Sequence, residues 1–234
     1  MKKYDFFFVL GVLAIFAPFF LWPHLYRSYE EVNRSHPYML AFFKFALLAT
    51  SGESLGLRLQ KGSYTQKGFG LLPRGVVWGI LGIVIAAAMK LYAAGAPRFV
   101  EGLGVAGVVA AMSGGLSWLK LLGAFAISIW MNTTFAPLFM TFHKVTDTHI
   151  VQNGGTIKVF TTPLRVGKIL SELNWKIQWN FVFKKTIPFF WIPAHTLTFL
   201  LPAEWQVLFA ALLSVALGVL LSLSALKQNK LQTT

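Results

Sequence analysis

Cysteine is absent from the chain, which excludes disulfides, thiolate metal sites and cysteine nucleophiles. Acidic residues are scarce: 8 Asp and Glu stand against 21 Lys and Arg in 234 residues. Charge of either sign is thin, at 12%, where a soluble domain carries about 25%. With so few carboxylates, and with 5 histidines that lack ligand spacing, no metal site is expected. Arginine-rich transit character is missing, and no small-residue cleavage site follows the first apolar run. Strict internal repeats and low-complexity tracts are missing too.

What is present is apolar. Hydrophobic residues make up 56% of the chain, and 22 residues are Phe. Several runs reach the roughly 20 residues that a helix needs to cross a bilayer core. The expected fold is all-α, a polytopic transmembrane helix bundle of about six spans, with a range of four to seven. The runs lie near residues 6–22, 38–57, 75–94, 122–143, 186–201 and 205–226. A seventh stretch, 102–119, is broken by Gly102, Gly104, Gly107, Ser113, Gly114, Gly115 and Ser117, and suits a re-entrant or interfacial helix or a continuation of the next span. The organisation expected is an N-terminal signal-anchor span and loop over 1–37, a helical membrane domain over 38–226 and a short tail over 227–234.

The formal charge of +13 would suggest nucleic acid in a soluble protein. In a membrane protein it has a simpler source, because cytoplasmic loops collect Lys and Arg. With six crossings, 15 basic residues fall on the side of Lys2, Lys3, Arg58, Lys61, Lys67, Arg74, the 144–185 loop, Lys227 and Lys230. Only Arg27, Arg34, Arg98 and Lys120 fall on the other, with Lys44 and Lys90 inside spans. That bias places both termini in the cytoplasm and makes nucleic acid an unsuitable partner. The partners expected are the lipid bilayer and anionic lipid headgroups at the basic loops. The basic start without an import signal points to a bacterial cytoplasmic (inner) membrane, with an organelle membrane as the alternative. In the 144–185 loop, Gly154-Gly155 signals a turn and Thr156 to Thr161 alternates like a short strand. Val166, Ile169, Leu170 and Leu173 recur at helical spacing, as an amphipathic helix at the membrane surface.

Polar groups inside a bilayer are expensive and mark functional candidates. Glu53, near the inner end of the second span, either faces a water-filled path or pairs with Arg58 or Arg74. Lys44 lies nine residues away and faces the opposite side of the helix, so the two cannot pair within it; it is expected to snorkel to the outer headgroups. The fourth span carries Asn132, Thr133 and Thr134 ahead of Pro137, and the short fifth span is interrupted by Pro188 and Pro193 and carries His195, Thr196 and Thr198. Broken or short spans are a sequence pointer to a transport site. The expected solute path therefore takes in Glu53, Asn132, Thr134, Pro137, Pro193, His195 and Thr198. Gly52 and Gly56 on the second span, and Gly75, Gly79 and Gly82 on the third, read as small-residue faces that bring those two helices together. Gly52-Glu53-Ser54-Leu55-Gly56 also fits the nucleophile pattern of serine hydrolases, but that motif needs a strand–turn–helix setting, so an enzyme is not expected.

Several of these residues fall in one order that resembles the Mpv/PMP family of small peroxisomal and mitochondrial inner-membrane proteins. Trp191-Ile192-Pro193 stands near the family's Trp-Pro, His195 near its Gln, Thr198-Phe199 at its Asn-Phe, Pro202 at the following Pro, and Leu220-Leu221-Ser222 at its closing motif. Upstream, residues 169–175 are similar to its amphipathic segment, Asn132 to Pro137 to its run ending in Ala-Pro, Gly52-Glu53 to its Gly-Asp, and Arg74 to an arginine opening the next span. Ile192 interrupts the Trp-Pro, Gln206 stands where the family has Arg, and the third span lacks its Gly-Pro. The resemblance covers residues 38–222. It implies a compact helical bundle, no cofactor, and either a weakly selective channel for small solutes or an assembly role. The alternative to a channel is a non-transporting membrane scaffold that uses the 144–185 loop and the glycine faces for contacts, with a homo-oligomer or a membrane-complex partner.

Overall fold

The computed structural model describes residues 3–232, with side chains as far as residue 220. Lys2 and the side chains of Leu221, Ser222, Lys227 and Lys230 lie outside the described residues. The chain is 84% helical, and no strand occurs among the described residues. Helices begin where the sequence can satisfy their free N–H groups. Pro23 opens α2 (Pro23–Ser35) and Pro37 opens α3 (Pro37–Lys61), because a first-turn proline gives up an N–H that had no partner. Gly62, at φ 80, closes α3 by donating to Arg58 O, the left-handed cap that glycine adopts without penalty.

Five helices are long and apolar enough to cross a membrane. They are α1 (Lys3–Leu21), α3, α4 (Leu71–Gly102), α6 (Trp118–Gln152) and the first part of α9 (Ala203–Gln232). Residues 175–200 form a further long helix, α8, which is not among those five; Lys184, Lys185 and His195 dilute its apolar character. The helix at the expected fifth span is thus longer than the short, interrupted one the sequence suggests. Its prolines are absorbed because Gln178–Trp191 is wound as a π-helix, in which Ile192 N–H reaches Ile187 O. The wider turn tolerates the missing proline donors without a break. A π-helical turn at Met131–Phe135 does the same ahead of Pro137 in α6.

Other expectations change. Between Gly102, which ends α4, and Trp118, which opens α6, the 102–119 stretch forms the separate short helix α5 over Val108–Met112 and does not merge with the next span. Residues 144–152 continue α6 and 175–185 belong to α8, so helix runs into both ends of the 144–185 segment. Thr156 to Thr161 is not a strand but a 3-10 turn at Ile157–Phe160, and the described residues offer no strand for it to pair with. The amphipathic helix does form, as α7 (Val166–Glu172), with Ile169 buried. The loop after the first span is not irregular either: α2 is a polar helix of 13 residues.

The core joins Phe45 and Ala49 of α3, Met89 and Ala96 of α4, Ala124, Ile127 and Met131 of α6, Phe199 of α8, and Ala210 and Ala211 of α9. Small residues dominate it, which lets backbones approach where lipid gives no hydrophobic drive for association. The expected close approach of α3 and α4 is made by the glycines of α4, not by those of α3. Gly82 packs on Phe45 and Ala41, Gly79 on the Phe42 ring, and Gly75 near Ala46 O and Thr50. Gly52 instead faces α9, where an added Cβ would lie 2.8 Å from Val215 Cα, and Gly218 meets Gly52 O from the other side. Gly52 comes ten residues after Phe42, so it has turned about 80° around α3 from the face that meets α4. Gly56 is buried in the same helix.

Candidate functional site

Two polar clusters lie inside the bundle, and Trp78 touches both. The first is built around Arg74, which opens α4 and is 8% exposed. Its Nη1 donates to Glu53 Oε2 of α3, and its Nη2 pairs with Asp147 Oδ1 near the end of α6. Its Nε donates to Phe69 O at 2.6 Å, with the guanidinium 4.6 Å from the Phe69 ring centroid. The second Glu53 oxygen accepts from Trp78 Nε1 at 3.0 Å and lies 3.3 Å from His143 Nε2. Asp147 Oδ2 accepts from Lys144 Nζ at 3.2 Å. His143 and Asp147 are four residues apart, so one face of α6 presents both.

The loops hold this geometry. Gly70 and Gly155 both have positive φ, and an added Cβ on Gly70 would lie 2.7 Å from Gly155 Cα. Only glycine permits that backbone contact. It ties the start of α4 to the end of α6, and so Arg74 to Asp147.

The second cluster lies at the two π-helical segments. Asn132 of α6 is fully buried, and its amide is 3.0–3.2 Å from His195 Nδ1 of α8. Ser128 Oγ donates to Ile192 O at 2.7 Å, and Asn132 Nδ2 donates to Ser128 O at 2.9 Å. The Trp191 ring stacks on His195 at 5.0 Å, and its buried Nε1 finds no protein acceptor. A cavity of about 70 Å3 lies here, lined by Asn132, His195, Trp191, Trp78, Phe135 and Ser214 among others. Its lining is mostly apolar, with Asn132, His195 and Ser214 supplying the polar side chains. Trp78 lines this cavity and donates to Glu53, so its indole stands between the two clusters.

Of the residues expected along a path, Asn132 and His195 meet, while Glu53 belongs to the Arg74 cluster and does not line the cavity. The other expected path residues do not join them. Thr134 is exposed and bonds Tyr92 Oη and Trp130 O; it lies two residues from Asn132, about 200° round the helix. Pro193 faces outward, and Pro137 is half-buried without lining the cavity. Thr198 is fully buried but its hydroxyl is spent on Ala194 O in its own helix. Of the two roles weighed for Glu53, pairing is what the geometry shows, and the partner is Arg74; Arg58 pairs instead with Asp5 at 2.8 Å. Lys44 does not snorkel. It is 7% exposed, its Nζ donates to Asn33 Oδ1 of α2 at 2.7 Å, and it sits over the Tyr29 ring. Ser54 lies mid-helix with its hydroxyl on Tyr64 O, in no strand–turn–helix setting.

The sequence reading missed Asp147, Trp78 and the joining role of His143. The signal was there in the i, i+4 spacing of His143 and Asp147 on a span end facing Arg74 and Glu53. Among the described residues no group of His, Asp and Glu is arranged to hold a metal ion. No family model, curated protein or solved structure matches the chain. The Mpv/PMP resemblance therefore rests on the residues quoted for it.

Proposed function

We propose that the chain is an integral membrane protein that passes small solutes or ions through the middle of a six-span bundle, with both termini cytoplasmic. The observation that carries this is the cavity between Asn132 and His195, placed where both α6 and α8 leave the α-helical bonding pattern and joined by Trp78 to Glu53. The cavity wall is mostly apolar, with Asn132, His195 and Ser214 as its polar side chains; polar groups buried in an apolar bundle mark functional candidates, and the buried Trp191 donor leaves one bond to offer a passing molecule. The six-span count is supported by the contact itself, because His195 of α8 meets Asn132 at the middle of a spanning helix and so shares its depth. In this conformation the path is closed at the cytoplasmic end by Arg74, clamped between Glu53 and Asp147. The Mpv/PMP resemblance points the same way, and a bacterial cytoplasmic membrane is the proposed location.

The test is solute release from liposomes holding the purified protein, with ions and uncharged solutes of graded size. Release with a cutoff that shifts in Glu53→Gln is the expected result. Unchanged permeation in that variant would remove Glu53 from the path. Tight liposomes with the protein folded and inserted would overturn the reading in favour of an assembly subunit. One observation favours that second reading: α1 buries none of its residues, which leaves an apolar helix for a homo-oligomer or a membrane-complex partner to cover.

A further inference from the structure

A larger pocket lies at the opposite end of the bundle from Arg74. It measures about 370 Å3 and sits between α2, the start of α3, α4 and the start of α9. Four charged side chains line it: Arg34 and Lys90 are cationic, Glu30 and Glu204 anionic. Among the described residues none of the four forms an ion pair. Lys90 rests over the Tyr38 ring at 4.7 Å, and Glu30 lies against the Tyr26 hydroxyl. The wall is fixed by Asn33, whose Oδ1 accepts from Lys44 and whose Nδ2 donates to Glu204 O at 3.3 Å. One residue thereby ties α2 to both α3 and α9. The Tyr26 and Trp205 rings stack beside it at 6.0 Å, the aromatic pair expected at headgroup level.

We infer that this pocket binds a zwitterionic headgroup that joins a phosphate to a primary ammonium, as in phosphoethanolamine. A lone anion would meet two carboxylates, and a lone cation would meet an arginine and a lysine. A zwitterion brings a group for each sign of the lining, which carries two cations and two carboxylates and so no net charge to favour either ion alone. Arg34 and Lys90 suit the phosphate, with the arginine offering a planar fork of donors. Glu30 and Glu204 accept N–H hydrogen bonds, which a primary ammonium donates and a quaternary one cannot. A quaternary ammonium is recognised by an aromatic cage, and no aromatic ring lines this pocket. Two sources share this chemistry, a membrane lipid and free phosphoethanolamine. This inference does not depend on transport.

The test is the unfolding temperature of the purified full chain in mild detergent, titrated separately with four compounds. These are dihexanoyl phosphatidylethanolamine, the matching phosphatidylcholine, the matching phosphatidylglycerol, and phosphoethanolamine. The ethanolamine lipid is expected to raise the unfolding temperature at concentrations about tenfold or more below the other two lipids. A matching response to phosphoethanolamine assigns a soluble source; a response to the lipid alone assigns the bilayer. The double substitution Glu30→Gln/Glu204→Gln is expected to abolish the preference over phosphatidylglycerol. If it does not fold, Arg34→Gln/Lys90→Gln takes its place and is expected to weaken the ethanolamine lipid about tenfold. Equal responses to all three lipids, or an unchanged ethanolamine response in the folded variant, would overturn the inference.

Discussion

Arg74→Gln tests whether the Glu53–Arg74–Asp147 clamp is a structural necessity or a surface ornament. Arg74 is 8% exposed and sits between two carboxylates. Removing it leaves Glu53 with Trp78 and His143, and Asp147 with Lys144, but sets two like charges together without the cation between them. Breaking a buried pair from one side costs about 3–5 kcal/mol. Glu53→Gln is milder, because Arg74 keeps Asp147 and Phe69 O and the glutamine keeps an oxygen for Trp78. Its loss is one charge-assisted hydrogen bond, about 1.5–3 kcal/mol. The double variant relieves the like-charge repulsion, so it should fall short of the sum by about 0.5–3 kcal/mol. Equilibrium unfolding in mixed micelles, followed by far-UV ellipticity, reads all three. A cost for Arg74→Gln below about 1 kcal/mol, the range of an exposed pair, would refute the reasoning, and so would strict additivity.

Three further outcomes follow from the packing. Gly52→Ala should destabilise by about 1–3 kcal/mol, because its Cβ meets backbone of α9 at 2.8 Å, whereas Gly95→Ala, with nothing within 4 Å, should be neutral or gain up to about 1 kcal/mol; equal effects in the same unfolding assay would contradict the close approach of α3 and α9. Asp5→Asn should loosen α1 alone, since that helix buries no residue and Asp5 receives Arg58 and Tyr64 at 2.8–3.1 Å; hydrogen exchange should quicken over residues 3–21 and stay unchanged in α4, and a uniform change would count against it. An amine-reactive reagent should modify exposed Lys90 and spare Lys44, as read by peptide mass spectrometry; rapid modification of Lys44 would restore the snorkelling picture.

Much of the fold was legible from apolar run length, because a helix must satisfy its own backbone in lipid and a run of about 20 residues leaves no other solution. The ends were read less well. Helix runs into both ends of the 144–185 segment because α6 and α8 continue past the apolar runs, and charged residues such as Lys144 and Lys184 are good helix formers outside the bilayer. Pro188 and Pro193 suggested a broken span, yet a π-helix kept it whole, and winding depends on the carbonyls that neighbouring side chains can reach, as Ser128 reaches Ile192 O. Asn132 and His195 were legible as polar residues near prolines in spans. Thr134 and Thr198 carried the same signal, but rotation about their helices turned one outward and left the other bonded to its own backbone.

By itself, then, the sequence determined the all-helical class, the runs long and apolar enough to cross a membrane, and the short list of polar residues that must be accounted for inside them. All of these are local properties, set by residue type and period. Partner choice was decided only by the tertiary structure: Glu53 with Arg74 rather than Arg58, Lys44 with Asn33 of a helix read as a loop, Gly52 with α9 rather than with the glycines of α4. Each depends on which faces of separate helices meet, and a small change in crossing angle or register moves such a contact to another residue. The one-dimensional pattern fixes how each helix is striped. It does not fix which stripe meets which.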